Sequence, residues 1–568
     1  MAISDFLPIV LLLCFLTLLA APLGKFMAKV FSGKRTFLTA IAGPVERALY
    51  RVFGVDEKEE MSWKTYAFSL VIFNVIGVFV LFVLQLIQGR LPLNPQKFGG
   101  VRWDTALNTA VSFVTNTNWQ AYGGEQTMSY FTQMLGLTVQ NFFSAAVGLA
   151  SAIAFIRGFT RKTVNSIGNF WVDLTRSILY VLMPLTIIWA LVLVSQGVVQ
   201  TLSPSINVRT LEGQQQTVAI GPAASQVAIK QLGTNGGGFF NANSAHPFES
   251  PSPLTDFMEV FGLMIIPVSL PFTLGAMFKN RRQGWTLYAS MMILFLLGLA
   301  VTLWAEFQGS PILEKVGILN GVNMEGKEVR FGVIHSILFA QSTTAIACGA
   351  VNTMHDSLMP LSGLVLIFNM AIGEVIFGGV GVGLIGMMIY AILTMFLAGL
   401  MIGRTPEFIG KKLEPYEMTM SVIAILSSAI TLLVLSSIAV STRGGVSSLN
   451  NAGPHGLSEI LYAYASTANN NGSAFAGLNA DTLFYNLTTS FAMLVGRFTT
   501  IIPALAIAGS LARKQIVPGS AGTFPTTSKL FVVMLVSVVI IVGALTFFPA
   551  LTLGPFLEHL FIQVGKTF

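Results

Sequence analysis

Ten stretches of predominantly apolar residues divide the chain, each about 20 residues or more and long enough to cross a bilayer as a helix. They are Ser4–Leu23, Tyr66–Leu86, Met128–Phe155, Ile178–Val198, Phe257–Phe278, Trp285–Phe307, Leu361–Ile402, Met418–Val440, Leu483–Leu511 and Leu530–Leu551. The seventh is twice the usual length, and Gly373, Gly378, Gly379, Gly381 and Gly383 interrupt its middle. It is either two helices or one broken helix.

The basic residues arbitrate. Lys25, Lys29, Lys34, Arg35, Arg47, Arg51 and Lys64 follow the first span, and Arg157, Arg161 and Lys162 the third. Lys279, Arg281 and Arg282 follow the fifth, Arg404, Lys411 and Lys412 the seventh, and Arg513 and Lys514 the ninth. With ten crossings every cluster lies on one side, which the positive-inside rule makes cytoplasmic. Two full crossings in the seventh span would put the last two clusters outside, so it counts as one broken crossing. Both termini are then expected to be extracytoplasmic.

The outer connections repeat one pattern: a short apolar stretch unable to span, then a loop of small and polar residues. The pairs are Ala106–Val114 with Thr115-Asn116-Thr117-Asn118-Trp119-Gln120, and Ala223–Leu232 with Thr234-Asn235-Gly236-Gly237-Gly238. Then come Val333–Ala345 with Ala347-Cys348-Gly349-Ala350-Val351-Asn352, and Leu457–Ser466 with Asn469-Asn470-Asn471-Gly472-Ser473-Ala474-Phe475. Asn118, Gly236, Gly349 and Gly472 recur 118, 113 and 123 residues apart, the mark of an internal repeat. The expected fold is an all-α polytopic membrane protein. Its ten transmembrane helices form four pseudo-symmetric helix–pore loop–helix repeats around one pore, with an extra helix at each end. The units run 65–170, 171–284, 285–416 (with the broken second helix) and 417–515, flanked by 1–64 and 516–568.

Composition agrees: 53% of residues are hydrophobic and 10% charged, against about 25% charged in globular domains. The net charge of +7 sits beside the spans and orients them, so it does not indicate nucleic acid. Cys14 and Cys348 make neither a disulfide framework nor a zinc site. The first span lacks a basic leader and a small-residue cleavage site, and is expected to be a retained helix.

Four loops meeting at the end of short helices would face a central ion with the partially negative helix C-termini. Gly supplies positive φ and an unobstructed backbone, so loop carbonyls can replace an ion's hydration shell. No carboxylate lies at the crossing point, which argues against divalent cations and for K⁺, with Na⁺ also open on chemistry alone. The expected filter residues are Thr115, Asn116, Thr117, Asn118, Gln120, Thr234, Asn235, Gly236, Gly237, Ala347, Cys348, Gly349, Asn470, Asn471 and Gly472. Asn118 replaces the glycine of the other loops; Asn tolerates the left-handed region, so the geometry survives with reduced symmetry. Gln120 is a candidate amide ligand at the outer mouth, or a solvated loop residue.

Gly373, Glu374, Gly378 and Gly379 form a candidate gate below the filter, with a simple kink as the plainer reading. Arg497, deep in the ninth span, is expected to face a cavity, repel a resting ion or pair with Glu374; snorkelling is the alternative. Asp356, beside His355, is assigned to structural hydrogen bonding. The five histidines are scattered with no metal-binding spacing, and neither a P-loop nor an Asp-Lys-Thr-Gly-Thr phosphorylation motif is present.

Thr-Asn-Thr-Asn-Trp-Gln at 115–120, Thr-Asn-Gly-Gly-Gly-Phe-Phe-Asn-Ala-Asn-Ser at 234–244, Cys-Gly-Ala-Val-Asn-Thr-Met-His-Asp-Ser at 348–357 and Ala-Asn-Asn-Asn-Gly-Ser-Ala-Phe at 468–475 resemble the four filter loops of the KdpA family. These are the potassium-binding and translocating subunits of bacterial Kdp potassium-transporting P-type ATPases, within the superfamily of K⁺ transporters. The resemblance covers the whole chain. It implies a non-catalytic subunit of a K⁺ uptake pump in the bacterial inner membrane, working with the ATPase subunit KdpB, KdpC and the single-span KdpF. K⁺ is the transported ion, ATP is hydrolysed in KdpB, and no nucleotide binds this chain. It also implies an inner gate at Gly373–Gly383.

Two other functions compete. A stand-alone K⁺ symporter or channel of the same architecture would move K⁺ downhill without a partner. An intramembrane enzyme using Glu374, His355 and Asp356 would leave the fourfold loop repeat without a purpose.

Overall fold

Polar side chains set where the apolar runs become helices. In the computed structural model, which describes residues 6–315, 317, 321–373, 375–403, 406–517 and 524–566, Ser62, Asn169, Asn280, Thr482 and Ser528 each accept a backbone N–H at a helix start. Ser252 and Thr255 form a reciprocal capping box. Such caps satisfy N–H groups that have no partner within the helix.

Ten helices among the described residues are long and apolar enough to cross a membrane, as the hydropathy pattern requires. They are span 1, Leu7–Phe31; span 2, Trp63–Ile87; span 3, Thr132–Thr160; span 4, Phe170–Ser195; and span 5, Pro253–Met277. Span 6 is Arg281–Gln308, span 8 Pro415–Ser441, span 9 Leu483–Arg513 and span 10 Lys529–Gln563. Span 7 is broken into Pro360–Ala371 and Val382–Ile402. Gly373, Phe377, Gly378 and Gly381 between the pieces have positive φ, which a right-handed helix cannot accommodate.

Four shorter helices precede the loops: pore helix 1, Trp103–Val114; pore helix 2, Ala223–Leu232; pore helix 3, Gly332–Ala345; and pore helix 4, Gly453–Ala468. Each is placed between two spans, giving four helix–pore helix–loop–helix units. Spans 3 and 5 bury 83% and 89% of their most apolar windows, whereas spans 1, 2, 4 and 10 bury 22–33%. The second helix of a unit therefore builds the centre, and the first helix and the end helices show apolar side chains such as Phe79, Leu191 and Leu545 to the surroundings.

The connections after spans 3, 7 and 9 meet on one side. Lys411 donates from Nζ to the backbone carbonyls of Arg161 (2.6 Å) and Lys514 (2.5 Å). Only an odd number of crossings between these connections and the outer loops allows this, so span 7 behaves as one crossing. Some features escape a reading by apolar runs. Thr39–Phe53 is a helix in the basic connection after span 1, and Ile206–Arg209 pairs antiparallel with Gln215–Val218 before pore helix 2.

Candidate filter and the segment beneath it

Each pore helix ends by turning its chain back on itself. In loop 1, Thr117 and Asn118 donate their backbone N–H groups to the carbonyl of Ser112, at 2.9 and 3.1 Å. Asn235 and Gly236 do the same to Lys230, at 2.8 and 3.1 Å. In loop 3, Cys348 donates to the Thr343 carbonyl (3.0 Å) and Gly349 to its hydroxyl (2.9 Å). In loop 4, Asn471 donates to the Ser466 carbonyl (2.8 Å) and Gly472 to its hydroxyl (2.9 Å). No peptide bond among the described residues is cis, and in a trans peptide N–H and C=O point oppositely. The carbonyls of residues 116 and 117, 234 and 235, 347 and 348, and 470 and 471 consequently point away from their own pore helices.

The backbone repeats with the same fourfold period. Positive φ occurs at Asn116 and Asn118, Thr234 and Gly236, Ala347 and Gly349, and Asn470 and Gly472. Alternating hand lets successive carbonyls project on one side of an extended strand, and the eight residues at these positions are three Gly, three Asn, Thr234 and Ala347, held by the turns just described. The loops also touch in a ring. A Cβ on Gly236 would stand on the Cys348 carbonyl, one on Gly349 on the Asn471 carbonyl, and one on Gly472 on the Thr117 carbonyl. The ring closes between loops 1 and 2, where Asn116 Nδ2 donates to the Thr234 carbonyl (2.9 Å) and Asn235 Nδ2 donates to Asn116 Oδ1 (2.7 Å). Asn470 Nδ2 donates to Thr117 Oγ1 (2.9 Å), and Asn471 Nδ2 reaches the Thr343 carbonyl (2.9 Å).

Asn118 holds φ 54° while its Nδ2 donates to Asn141 Oδ1 of span 3 at 2.7 Å. Its side chain is thus anchored to the surrounding helix. Gln120 is a strut between loops: Oε1 accepts the Gly238 N–H at 2.9 Å and Nε2 donates to the Gly238 carbonyl at 3.1 Å. Gly237 lies against Phe113 and Asn118, whose side chains would stand 3.0–3.1 Å from an added Cβ.

Several supporting residues were not singled out by the sequence. Ser112, Lys230, Thr343 and Ser466 share the loop period, but their carbonyls and hydroxyls, not an obvious motif, give them their role. Asn243, within the long second motif, donates Nδ2 to the Gly236 carbonyl at 2.6 Å. Lys230 is fully buried and pairs with Glu249, with Asn243 Oδ1 at 2.7 Å. A Lys in a short membrane-embedded helix was the available signal, since buried ammonium groups require a paired partner.

The break in span 7 lies against this ring. Val380 donates its N–H to Thr234 Oγ1 (2.9 Å), and Gly378 donates to the Ala345 carbonyl (3.2 Å). Gly381 packs on the backbone of Gly148 in span 3, where a Cβ would meet the Gly148 carbonyl. Gly379 is buried with them. Arg497, 4% exposed, donates Nη2 to the Ser144 carbonyl at 2.9 Å. It stands one helical turn beyond Met493, whose carbonyl accepts from Asn470 Nδ2. Glu374, and with it the expected Arg497–Glu374 pair, lies outside the described residues. A cavity opens beside the break, between spans 7, 8 and 9, lined by Gly373, Tyr390, Ser428, Asn469, Asn470 and Thr500 among others.

The family of potassium-transporting ATPase A subunits matches residues 10–560. The potassium-transporting ATPase potassium-binding subunit of Mesorhizobium japonicum is 55% identical over 568 residues, all of both chains. The subunits of that name from Bradyrhizobium diazoefficiens and Rhizobium rhizogenes are 52% and 53% identical, also over the full length of both chains. Among solved structures, the potassium transporter TrkH from Vibrio parahaemolyticus superposes with a TM-score of 0.54 at 15% identity, over 78% of this chain and 85% of that one. That likeness is one of fold.

Proposed function

The chain belongs to the KdpA family, and from that premise we propose that its four loops select K⁺ for an ATP-driven uptake pump. It is the potassium-binding subunit of a potassium-transporting ATPase and a multi-pass membrane protein. The observation that carries the filter assignment is the repeated turn. In all four loops two N–H groups fold back onto one pore-helix residue, which turns the carbonyls of the same peptides away from that helix. Neutral carbonyls at the negative ends of four helices suit a weakly hydrated monovalent cation.

The filter residues are then Thr115, Asn116, Thr117, Asn118, Thr234, Asn235, Gly236, Gly237, Ala347, Cys348, Gly349, Asn470, Asn471 and Gly472, with Gln120 bracing the first two loops. Gly373, Gly378 and Gly379 form the gate below, with Glu374 between them. Arg497 places a fixed positive charge under the ring, which opposes an ion lingering there. The cavity between spans 7, 8 and 9 supports a sideways exit toward the ATPase subunit, KdpB. KdpC and KdpF complete the assembly, nucleotide binds KdpB and not this chain, and the basic connections face the cytoplasm of a bacterial inner membrane, leaving both termini outside.

Reconstitution of the whole complex tests this. Gly236→Ala is expected to raise the K⁺ concentration needed for half-maximal ATP hydrolysis and to admit Rb⁺ or Na⁺. Unchanged K⁺ dependence and selectivity in a correctly assembled complex would remove loop 2 from the filter. Downhill K⁺ flux through this chain alone would instead indicate a stand-alone pore.

A further inference from the structure

Outside the filter, three segments bring chemically matched side chains together where the third and fourth units meet the end of span 10. Asp356 sits on the short turn His355–Ser357 after loop 3. His455 and Glu459 lie four residues apart on pore helix 4, hence on one face of it. One ligand atom from each of Asp356, His455 and Glu459 falls within 4.8 Å of the other two. We propose that Asp356, His455 and Glu459 form a binding site for a divalent transition metal ion, Zn²⁺ being the preferred occupant.

Both ring nitrogens of His455 face carboxylates. Its Nδ1 lies 2.8 Å from Glu558 Oε1 on the last part of span 10, and its Nε2 lies 3.2 Å from Asp356 Oδ1. A carboxylate accepting from one ring nitrogen fixes the tautomer and turns the other nitrogen toward the ion. Glu558 is thus a positioning residue, and Asp356, Glu459 and His455 Nε2 are the ligands.

A second observation points to a ligand independently of that clustering. Glu459 is 0% exposed, and although Oε1 accepts from Asn451 Nδ2 at 2.6 Å, the buried Oε2 has no hydrogen-bond partner. Burying a carboxylate oxygen with nothing to bond is costly, and a cation in the cluster removes that cost. The wall of the site is backbone. A Cβ on Gly477 would meet Glu459 Oε1 and stand 2.7 Å from Asp356 Oδ2, so both carboxylates converge on the same small space. Asp356 and His455 keep 15% and 16% of their side chains exposed, which leaves a path for an ion.

One imidazole and two carboxylates make a mixed N/O set. Imidazole favours Zn²⁺ and its neighbours, whereas Ca²⁺ and Mg²⁺ prefer oxygen alone. Binding requires His455 Nε2 to be free of its proton, which leaves to solvent. The ion would tie pore helix 4 to the exit of loop 3 and, through Glu558, to span 10. It would also sit beside the fourth loop: the His455 ring stacks on Phe475, Phe475 stacks on Tyr462, and the Tyr462 hydroxyl meets Ser473 Oγ at 2.7 Å.

Titration of the untagged, chelator-stripped complex with ZnCl₂ tests the site. The wild type is expected to bind one Zn²⁺ per copy of this chain, with Mn²⁺ bound more weakly in line with the general metal order. Glu459→Gln, Asp356→Asn and His455→Gln should abolish that stoichiometric binding, and Glu558→Gln should weaken it by about 10–100-fold as a second-shell change does. X-ray absorption at the zinc edge of the wild type should show nitrogen and oxygen ligands at about 2.0–2.2 Å and no sulfur, a readout independent of whether any variant folds. Failure of the wild type to bind Zn²⁺ stoichiometrically, or full retention of binding by Glu459→Gln, overturns the site.

Discussion

Single residues in the loops are constrained by backbone hand before side-chain chemistry. Gly236 has φ 88° and stands on the Cys348 carbonyl, so an added methyl is opposed twice. Left-handed backbone alone costs an L-residue about 1–2 kcal/mol, which corresponds to about a 5–30-fold rise in half-saturating K⁺ for Gly236→Ala, read from K⁺-stimulated ATP hydrolysis of the complex. Asn118 occupies the same register with φ 54°. Asn118→Gly keeps that conformation and loses one bond to Asn141, worth about 1 kcal/mol, so K⁺ dependence should shift by less than in Gly236→Ala. Asn118→Val should shift it more, because a β-branched residue resists positive φ. Equal behaviour of the Gly and Val variants would show that hand is not the constraint. Arg497 is buried and bonded to the Ser144 carbonyl. Arg497→Ala is expected to change K⁺ transport or leak at an unaltered level of assembled complex. A change in expression alone would make Arg497 structural.

At the scale of elements, the filter and the broken span are mechanically joined. The Val380 N–H has Thr234 Oγ1 as its partner, and Thr234→Val keeps the side-chain shape while leaving that buried N–H without one. The loss should be about 1–3 kcal/mol, seen as a lower thermal midpoint of the complex and altered K⁺ release at unchanged K⁺ selectivity. Loss of selectivity with normal stability would place the Thr234 hydroxyl in the ion path instead. The spans and pore helices were legible because they are long apolar runs ended by polar caps, and because basic residues recur on one side. The loop ring was legible in part: a period near 118 residues marked Asn118, Gly236, Gly349 and Gly472, but not the turn that orients their carbonyls. That turn depends on hydrogen bonds to Ser112, Lys230, Thr343 and Ser466, which identity alone does not disclose. Gln120 illustrates the same limit, since its amide could serve an ion or a backbone and the structure shows it on Gly238. The helix Thr39–Phe53 and the exposed hairpin at 206–218 carry too few consecutive apolar residues to stand out. His455 and Glu459 were visible at helical spacing, whereas Asp356, 99 residues away from His455, joins them only through the repeat.

For the whole molecule, the decisive contact is the one that joins the last unit to the first, because four units in sequence leave an open seam between them. Polar groups hold that seam on the pore-helix side. Arg102 Nη2 donates to Asp104 Oδ2 (2.9 Å) and to Asp481 Oδ1 (2.8 Å), and Asn486 Nδ2 of span 9 donates to Asp104 Oδ2 (3.0 Å). Deeper in, Asn108 Nδ2 donates to Thr489 Oγ1 at 2.8 Å. The hydrogen bonds from Arg102, opposed by burial and helped by Asn486, lower the Asp104 carboxyl to about 2. A carboxylate with a depressed folded value contributes stability above its unfolded value, near 3.8, and loses it as the pH falls toward about 2. The thermal midpoint of the wild-type complex should therefore exceed that of Asp104→Asn by a constant amount above about pH 5. The difference should shrink as the pH drops below about 4 and approach zero near the lowest pH the complex tolerates. A gap independent of pH throughout would mean that Asp104 closes the ring by shape and neutral hydrogen bonding, and that the charge on Asp104 plays no part in joining the fourth unit to the first.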